Sequence, residues 1–371
     1  MIISKLTLQN FRSFPEKEIT FSPLVTILLG PNACGKTTIL EAIFLLATGK
    51  SFRVEKDLEM ISFKEEIGRV KGSIEITQLD AEQIDLEIVL SKGEVMGIKT
   101  PMKKYSVNEV GKRMIDIVGR LKVVLFWPED LELVTDSPSL RRRYLDFVLI
   151  QVDREYRRTL LSYEKGLRQR NRLLEAIREK EAHRHQLIFW DQLLIKNGEY
   201  ITRRREEYID FVNKLQISND KLQIKSKIQN PNYQLEYDRS IISRQRLDQY
   251  SQEEVAAGVT LVGPHRDDVK FKIQNSKFKI KNEEYRDLSH YGSRGEQRLA
   301  VLWLKLGELA YIEAQTGGKP VLLLDDILSE LDHEHRKIIF EVIGNQQTLM
   351  TMTDKHFIEK NKLKNAEIIE L

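Results

Sequence analysis

A glycine-rich loop between an apolar strand and a helix is the first feature of the chain that could carry chemistry. The segment GPNACGKT, residues 30–37, has the spacing G-x-x-x-x-G-K-[ST]; the strand pattern VTILL precedes it and the helical pattern TTILEAIFLLA follows. Backbone N–H groups of such a loop, with the positive end of the helix, bind phosphate. The alternative, a glycine turn that matches by chance, is disfavoured by this strand–loop–helix context.

The residue types in the loop predict a site for ATP and Mg²⁺. Lys36 would reach the β- and γ-phosphate oxygens and take part in catalysis, and Thr37 would coordinate the metal. The predicted nucleotide-binding residues of this segment are Gly30, Pro31, Asn32, Ala33, Cys34, Gly35, Lys36, Thr37 and Thr38.

A second acidic group is needed for the metal, and it follows an apolar strand far downstream. In PVLLLDDILSELD, residues 320–332, four apolar residues precede Asp325 and Asp326. Asp325 suits Mg²⁺, directly or through water, and Asp326 suits a catalytic base that polarises the attacking water. The alternative is that the two acids cap the helix beginning near Leu328. The presence of a phosphate loop favours the metal interpretation.

A third cluster opens a long helix within residues 289–314. It consists of Ser293, Arg294, Gly295, Glu296 and Gln297. A small, hydrogen-bonding cluster at a helix N-terminus suits an anion. A chain with one phosphate loop has no obvious use for a second anion site in the same pocket, so the cluster indicates that a second subunit completes the site.

Composition places these residues in a cytoplasmic protein. The 371 residues suffice for two or three domains, and no stretch approaches the roughly 18 apolar residues of a membrane span. The N-terminus lacks the features of a signal peptide. Cys34 is the sole cysteine, which excludes an intrachain disulfide and a Cys-rich metal site. The net charge of +3 neither requires nor forbids a nucleic-acid partner.

The elements that must position the site fall into three parts. Strand patterns dominate residues 1–130, helical patterns residues 131–256, and strands return from residue 257. We therefore predict one lobe from residues 1–130 and 257–371, with residues 131–256 inserted as a helical lobe. Leu187, Leu194, Ile201 and Tyr208 recur every seven residues and predict a helical hairpin there. Intramolecular packing is favoured over partner binding for this stripe.

Residues 139–172 concentrate positive charge. They hold ten basic and four acidic residues, an excess of six positive charges. Such a segment can neutralise phosphates and make DNA binding salt-dependent, although arginine runs on helices are also ordinary solvated faces. The candidate DNA contacts are Arg141, Arg142, Arg143, Arg157 and Arg158.

Several of these motifs together resemble a known family. The S-x-G-x-Q cluster, the LLLDD strand and the SELD turn resemble the signature, Walker B and D-loop motifs of ABC-type ATPases, in the branch that includes SMC proteins. The start LTLQNFRSF, residues 6–14, is similar to that branch too. More narrowly, four segments resemble the RecF family of bacterial recombination mediators. They are PEDLELVTDSPSLRRRYLD (128–146), GLRQRNRLL (166–174), GPHRDD (263–268) and LLLDDILSELD (322–332).

The resemblance implies an α/β fold: an ABC-type ATPase head of the P-loop NTPase class, with a mixed sheet, an antiparallel β-subdomain and an inserted helical lobe. It also implies that Arg12 contacts the nucleotide and that the signature cluster meets ATP bound to a second subunit. The implied D-loop residues are Ser329, Glu330, Leu331 and Asp332.

The function implied by the resemblance is an ATP-dependent DNA clamp of DNA replication, recombination, repair and the SOS response. ATP would drive a homodimer on gapped or single-strand–double-strand junction DNA, helping RecR and RecO to load RecA. Hydrolysis would be slow and DNA-stimulated, and ATP would act as a switch.

Two departures from the ABC pattern affect these expectations. Asp326 is one methylene shorter than the usual glutamate, so a weak ATPase is expected. The switch-histidine position holds Thr353 or Asp354, with His356 beyond it. Two other functions remain as alternatives, the ATPase head of a nuclease and an SMC-like chromosome-organising head. The first would need a further acidic cluster after the strand pattern TLMTMTD, where about 20 residues remain, and the second a long coiled-coil arm.

Overall fold

The computed structural model of the protein describes residues 1–76, 82–215, 233–274, 285–330, 333–354, 363 and 366–371. The chain divides into two compact units. Unit 1 takes its described residues from 1–130 and 302–371, and unit 2 from 131–215 and 233–301. The first division lies where the sequence predicts a boundary, after residue 130. Residues 257–301, expected in the ATPase lobe, lie in unit 2 instead. The strand at residues 268–274 pairs with the strand at 233–238, and the strand at 285–287 pairs with it in turn.

The first part of unit 1 is rich in strands. Its elements are β1 (Ile2–Phe11), β2 (Phe14–Thr20), β3 (Val25–Leu29), α1 (Lys36–Thr48), β4 (Ile67–Ile76), β5 (Glu82–Ser91), β6 (Glu94–Val95), β7 (Ile98–Lys99), β8 (Lys103–Val107), β9 (Val110–Lys112), α2 (Met114–Ile117) and β10 (Val123–Phe126). Six of them form an antiparallel sheet in the order β2-β1-β4-β5-β8-β9. In β5, Ile84, Leu86 and Ile88 are buried at every second position, so one face of the sheet packs against the interior.

Unit 2 is mainly helical. Its elements are α3 (Glu132–Thr135), α4 (Pro138–Val152), α5 (Arg154–Arg178), α6 (Ile188–Lys214), β11 (Tyr233–Asp238), α7 (Arg244–Gln249), α8 (Ser251–Ala257), β12 (Asp268–Gln274), β13 (Tyr285–Asp287) and α9 (Leu288–Tyr291). The division between the units falls within the next helix, α10 (Arg294–Thr316). Among the described helices, none combines the length and the apolar character that a membrane crossing requires.

The last part of the chain completes the central sheet of unit 1. It contains β14 (Val321–Leu324), α11 (Ile327–Glu330), α12 (His333–Ile343), β15 (Thr348–Met352) and β16 (Glu367–Glu370). The strand order is β10-β14-β15-β3-β16, and every pairing is parallel. The antiparallel strands that are described lie in separate sheets, so unit 1 combines this parallel sheet with the predicted antiparallel β-subdomain. All residues of β14 and β15 are buried, as in sheets covered on both faces.

Parallel pairing brings three chain segments to one edge of this sheet. Gly30 follows β3, Asp325 follows β14 and Thr353 follows β15. Since the carboxyl ends of parallel strands share an edge, the phosphate loop and the acid pair lie together there.

The helical hairpin of unit 2 packs through the stripe seen in the sequence. Leu194, Ile201 and Tyr208 on α6 are fully buried, and Leu187 before it is 8% exposed. The stripe's interpretation as intramolecular packing is confirmed. Buried arginines accompany it: Arg170 on α5 is 2% exposed. Its guanidinium donates to Asp191 Oδ1 at 2.8 Å, Glu254 Oε2 at 2.7 Å and Thr260 Oγ1 at 2.9 Å.

His265 lies close to Thr260, which also contacts Arg170. Its buried position leads us to predict that the stability of the protein depends on pH. Its Nδ1 is 2.8 Å from the Tyr163 hydroxyl and its Nε2 is 3.0 Å from the Thr260 carbonyl oxygen. Burial lowers the pKa of His265 to about 4, so the folded protein keeps it neutral while an unfolded histidine takes up a proton below about 6.5. The unfolded state thus binds more protons between these values. His265 contributes a loss of stability as the pH falls through this window.

We expect His265→Gln to reduce the difference between the free energies of unfolding at about pH 7 and pH 5. Urea denaturation of both proteins at the two pH values measures it. His290→Gln, at a side chain that is 78% exposed, serves as the control and should keep the wild-type difference. An unchanged difference in the His265 variant would contradict the argument.

Candidate nucleotide-binding site

The phosphate loop has the backbone of an anion site. Ala33 and Gly35 have φ angles of 66° and 105°, both in the left-handed region. Gly35 is the N-cap of α1, no side chain accepts a hydrogen bond there, and the first turn holds no acidic residue. The N–H groups that open α1 therefore have neither a side-chain acceptor at the cap nor a repelling carboxylate, which suits a phosphate.

The predicted lysine lies inside this loop. Lys36 is 7% exposed, and its Nζ donates to the carbonyl oxygens of Gly30 at 2.6 Å and Pro31 at 2.8 Å. These contacts hold the ammonium charge within the loop. Pro31, Asn32 and Ala33 are exposed, Cys34 is half-buried, and the side chain of Thr38 is buried in unit 1. Thr38 therefore offers its backbone N–H, and not its hydroxyl, to a ligand of the loop.

The predicted metal ligands meet although 288 positions separate them. Thr37 Oγ1 donates to Asp325 Oδ1 at 3.0 Å, and Asp325 is 6% exposed. One hydroxyl and one carboxylate fit Mg²⁺, which usually takes one or two protein oxygens together with phosphate oxygens and water. Among the described residues, no group of three or more His, Cys, Asp or Glu side chains is placed to hold a metal ion. The donor set therefore fits Mg²⁺ bound with a nucleotide.

A threonine that the sequence analysis missed orders both acids. Thr351 Oγ1 on β15 donates to Asp325 Oδ1 at 2.8 Å and accepts from the Asp326 N–H at 2.8 Å. Asp326 is half-buried, with φ at 48°, a rare conformation for a residue other than glycine. The Thr351 hydroxyl thus fixes the carboxylate at the metal position and the backbone of the predicted base. No local pattern indicated this role, because strand pairing alone brings Thr351 to the acids.

Arg12 is anchored by a buried carboxylate. Its Nε and Nη2 donate to the two carboxylate oxygens of Glu41 at 3.0 and 2.6 Å, and its Nη1 donates to the Glu59 carbonyl oxygen at 2.7 Å. Glu41 is fully buried and also accepts a hydrogen bond from Ser51. These contacts tie the turn between β1 and β2 to α1. Contact between Arg12 and the nucleotide stays a prediction. The signal for Glu41 was present: it is the one acid in an apolar helix, and a buried acid needs a partner.

The signature cluster forms a closed helix cap. The Ser293 N–H and hydroxyl both donate to Glu296 Oε2 at 2.8 Å, and the Glu296 N–H points back to Ser293 Oγ at 3.3 Å. The amide of Gln297 is buried and donates to the Leu288 and Gly292 carbonyl oxygens. Gln297 therefore stabilises the backbone that precedes the cap, and its side chain is not exposed to a ligand in solvent. Ser293, Arg294 and Gly295 are the exposed residues of the cluster.

Other predicted site residues lie partly outside the described chain. Ser329 and Glu330 end α11, whereas Leu331 and Asp332 are outside the described residues. Thr353 and Asp354 are exposed after β15, and His356 is outside the described residues.

Three of the candidate DNA-binding arginines are engaged inside unit 2. Arg141 binds both carboxylate oxygens of Asp268, at 2.7 and 3.1 Å. Arg142 donates to the Asp267 carbonyl oxygen at 2.7 Å, and Arg157 is 8% exposed and donates to a backbone carbonyl. The guanidinium groups of Arg141 and Arg157 are held within the unit, which disfavours them as DNA contacts; their contact with DNA stays a prediction. Arg142 is half-buried by the same kind of contact.

The remaining two candidates differ. The guanidinium of Arg143 lies 5.2 Å from the centre of the Phe147 ring. Arg158 is 70% exposed and pairs with Glu155 at 2.6 Å. The ten basic residues counted in the sequence segment 139–172 thus include both solvent-facing cations and arginines that are hydrogen-bonded within unit 2.

The parallel sheet, the phosphate loop after β3 and the paired acids after β14 define an ATPase head of the ABC/SMC class. The model of the family described as "RecF/RecN/SMC N terminal domain" matches residues 2–367. Curated proteins named "DNA replication and repair protein RecF" are similar over nearly the whole chain. That of Herpetosiphon aurantiacus is 37% identical over 95% of this chain and 94% of its own, and that of Lachnoclostridium phytofermentans 35% over 100% and 98%. The chain belongs to the RecF family.

Solved structures agree in fold. A structure of "the recombination mediator protein RecF-ATP in RecFOR pathway" superposes with a TM-score of 0.81 at 32% identity, over 95% of this chain and 92% of that one. An Smc head domain from Pyrococcus yayanosii has a TM-score of 0.50 at 14% identity, over 99% and 94%, and shows the fold alone. The predicted fold class is confirmed.

Proposed function

We propose that the protein is an ATP-dependent DNA-binding protein of replication and recombinational repair, in which ATP joins two copies head to tail. The nucleotide would lie on the Lys36 loop of one copy and be completed by Ser293, Arg294 and Gly295 of the other. The observation that carries the dimer is the exposed start of α10, where Ser293, Arg294 and Gly295 face solvent and the Ser293–Glu296 cap fixes the backbone. The Thr37–Asp325 contact supports the nucleotide half of the site.

The switch follows from binding linkage. Contacts that the γ-phosphate makes to both copies would add to the free energy of dimerisation, and hydrolysis would remove them. When bound, Mg²⁺ neutralises phosphate charge. Lys36 holds the phosphates, and Asp326, fixed by Thr351, accepts the proton of the attacking water. A short carboxylate in a strained backbone supports slow hydrolysis, which DNA would stimulate.

The names of relatives support the biological setting. The solved RecF structures are described as a recombination mediator in the RecFOR pathway. We propose for this chain the corresponding role on gapped or single-strand–double-strand junction DNA. Its partners would be RecR and RecO, with RecA loading as the outcome.

The test of this function is ATP-induced dimerisation measured by light scattering. With ATP and Mg²⁺ the wild-type mass should double, and Lys36→Met should stay monomeric, since it removes the charge within the phosphate loop. Ser293→Arg should bind ATP like wild type but fail to dimerise, because it blocks the tip of α10. Ser139→Arg, at another exposed serine of unit 2, is the matched control and should dimerise.

Two results would overturn the proposal. One is identical behaviour of wild type and Lys36→Met with ATP. The other is loss of ATP binding together with dimerisation in Ser293→Arg, which would mean that the tip acts on its own chain.

A further inference from the structure

Helix α5 presents a line of cations to solvent. Five exposed basic residues fall within about 40° on either side of one line along the helix, at 100° per residue. These residues, here named the α5 stripe, are Arg154, Arg158, Lys165, Arg168 and Arg172. The opposite side of the helix is buried through Tyr156, Leu160, Tyr163, Gly166, Arg170 and Leu174. The orientation of the stripe is therefore fixed by packing.

Few acids neutralise the stripe. Arg158 pairs with the exposed Glu155. For Lys165, Arg168 and Arg172, no ion pair occurs with any described residue. An ordinary solvated helix alternates charges of opposite sign at i and i+4, as Arg203 and Glu207 do on α6. Among the described residues, Lys165, Arg168 and Arg172 depart from this pattern, since no acid forms an ion pair with them.

This arrangement costs stability in the isolated protein. Arg154 and Arg158 are four residues apart, as are Arg168 and Arg172. Like charges at this spacing destabilise a helix by about 0.2–0.5 kcal/mol a pair. Repulsion within these two pairs does not stabilise the helix, so the charges point to a partner that carries the opposite charge.

The length of the stripe suits duplex DNA. From Arg154 to Arg172 the helix rises by about 27 Å at 1.5 Å per residue. DNA places a phosphate every 3.4 Å along each strand, so the stripe extends along about eight base pairs. Arginine and lysine neutralise phosphates without reading sequence.

We propose that the α5 stripe is the surface by which unit 2 binds the phosphate backbone of duplex DNA. This inference rests on the proposed DNA-binding function and replaces Arg141 and Arg157 as the contact residues. It assigns binding to a continuous helix face, and it implies contact with the duplex part of a gapped substrate without sequence preference.

The test uses a variant with Lys165, Arg168 and Arg172 all changed to glutamine. Binding to a gapped duplex, with ATP and Mg²⁺, is measured by fluorescence anisotropy across a range of salt. Each lost phosphate contact should reduce the magnitude of the negative slope of log K against log salt by about 0.9. We therefore expect a slope about 2–3 smaller in magnitude and an affinity on the order of 100- to 1,000-fold weaker near 0.1 M salt. The matched control changes Arg203, Arg239 and Lys270 to glutamine, removing the same charge from paired, exposed cations of unit 2. It should keep most of the wild-type slope.

The outcomes separate this inference from the proposed function. If wild type neither dimerises with ATP nor binds DNA, the proposed function fails first. If wild type does both and the stripe variant binds DNA with the wild-type slope, the inference alone is overturned. The same holds if the variant keeps that slope but loses binding to an acidic protein, since the stripe would then be a protein-binding surface. A stripe variant that no longer dimerises with ATP in the absence of DNA also counts against it. Retained dimerisation with a reduced slope supports it.

Discussion

Arg170→Ala is expected to destabilise the protein by about 3–5 kcal/mol, because it takes the cation from the buried Glu254 carboxylate and leaves Asp191 paired with the more distant Arg244, at 3.8 Å. Glu254 is fully buried and Asp191 is 8% exposed, and the Arg170 guanidinium lies within 2.8 Å of both. Removal of the arginine also takes a donor from Thr260 Oγ1. The two acids would have to remain charged in the low-dielectric interior of the protein or take up protons, and either outcome lowers the free energy of unfolding.

Urea denaturation followed by circular dichroism measures this effect, and the matched control lies two residues away. Arg172→Ala removes an exposed arginine from the same helix and should change stability by no more than about 0.5 kcal/mol. Arg170→Lys should fall between them, since it keeps the charge but cannot reach three acceptors in a fork. Equal stabilities of the Arg170→Ala and Arg172→Ala proteins would show that the buried network does not support unit 2.

The segments that carried the family resemblance prove to be partners in this polar interior. Arg141 and Asp146, from residues 128–146, bind Asp268 and Arg205. Asp267, from residues 263–268, also binds Arg205, at 3.1 Å. A charge count could not separate such arginines from solvent-facing ones, because their partners lie 59 to 127 positions away.

Sequence patterns within a short segment correctly predicted the features that depend on that segment alone. The loop after VTILL, the acids after the strand of residues 321–324 and the seven-residue stripe of α6 all lie where the spacing placed them. The parallel order of the central sheet and the roles of Glu41 and Thr351 depend on pairings across the chain, which periodicity does not encode. The placement of residues 257–301 was missed for the same reason. Their strands β12 and β13 look like a return to the first lobe, yet β12 pairs with β11.

The second prediction with a large expected effect concerns ATP binding and the phosphate-loop residue Gly35. Its φ of 105° is a conformation that side chains rarely adopt, and a β-carbon there would lie 2.4 Å from Phe14 Cζ. The Phe14 ring, at the start of β2, therefore packs directly on the phosphate loop. Backbone strain alone costs about 1–3 kcal/mol, and the contact with the ring adds to it. We expect Gly35→Ala to weaken ATP binding at least about 100-fold and to abolish ATP-induced dimerisation while the protein stays folded.

Calorimetric titration with ATP and Mg²⁺ tests this, and two further variants separate the causes. Gly317→Ala also places a side chain at a left-handed φ, 69°, but with no atom within 4 Å, and should bind ATP normally. Adding Phe14→Ala to Gly35→Ala removes the ring contact and leaves the φ strain, so the double variant should recover only part of the affinity. Full recovery would mean that the ring, and not the loop conformation, controls the site. Wild-type affinity in Gly35→Ala itself would contradict the assignment of residues 30–37 as the phosphate site, since N–H groups aimed at a phosphate depend on that backbone conformation.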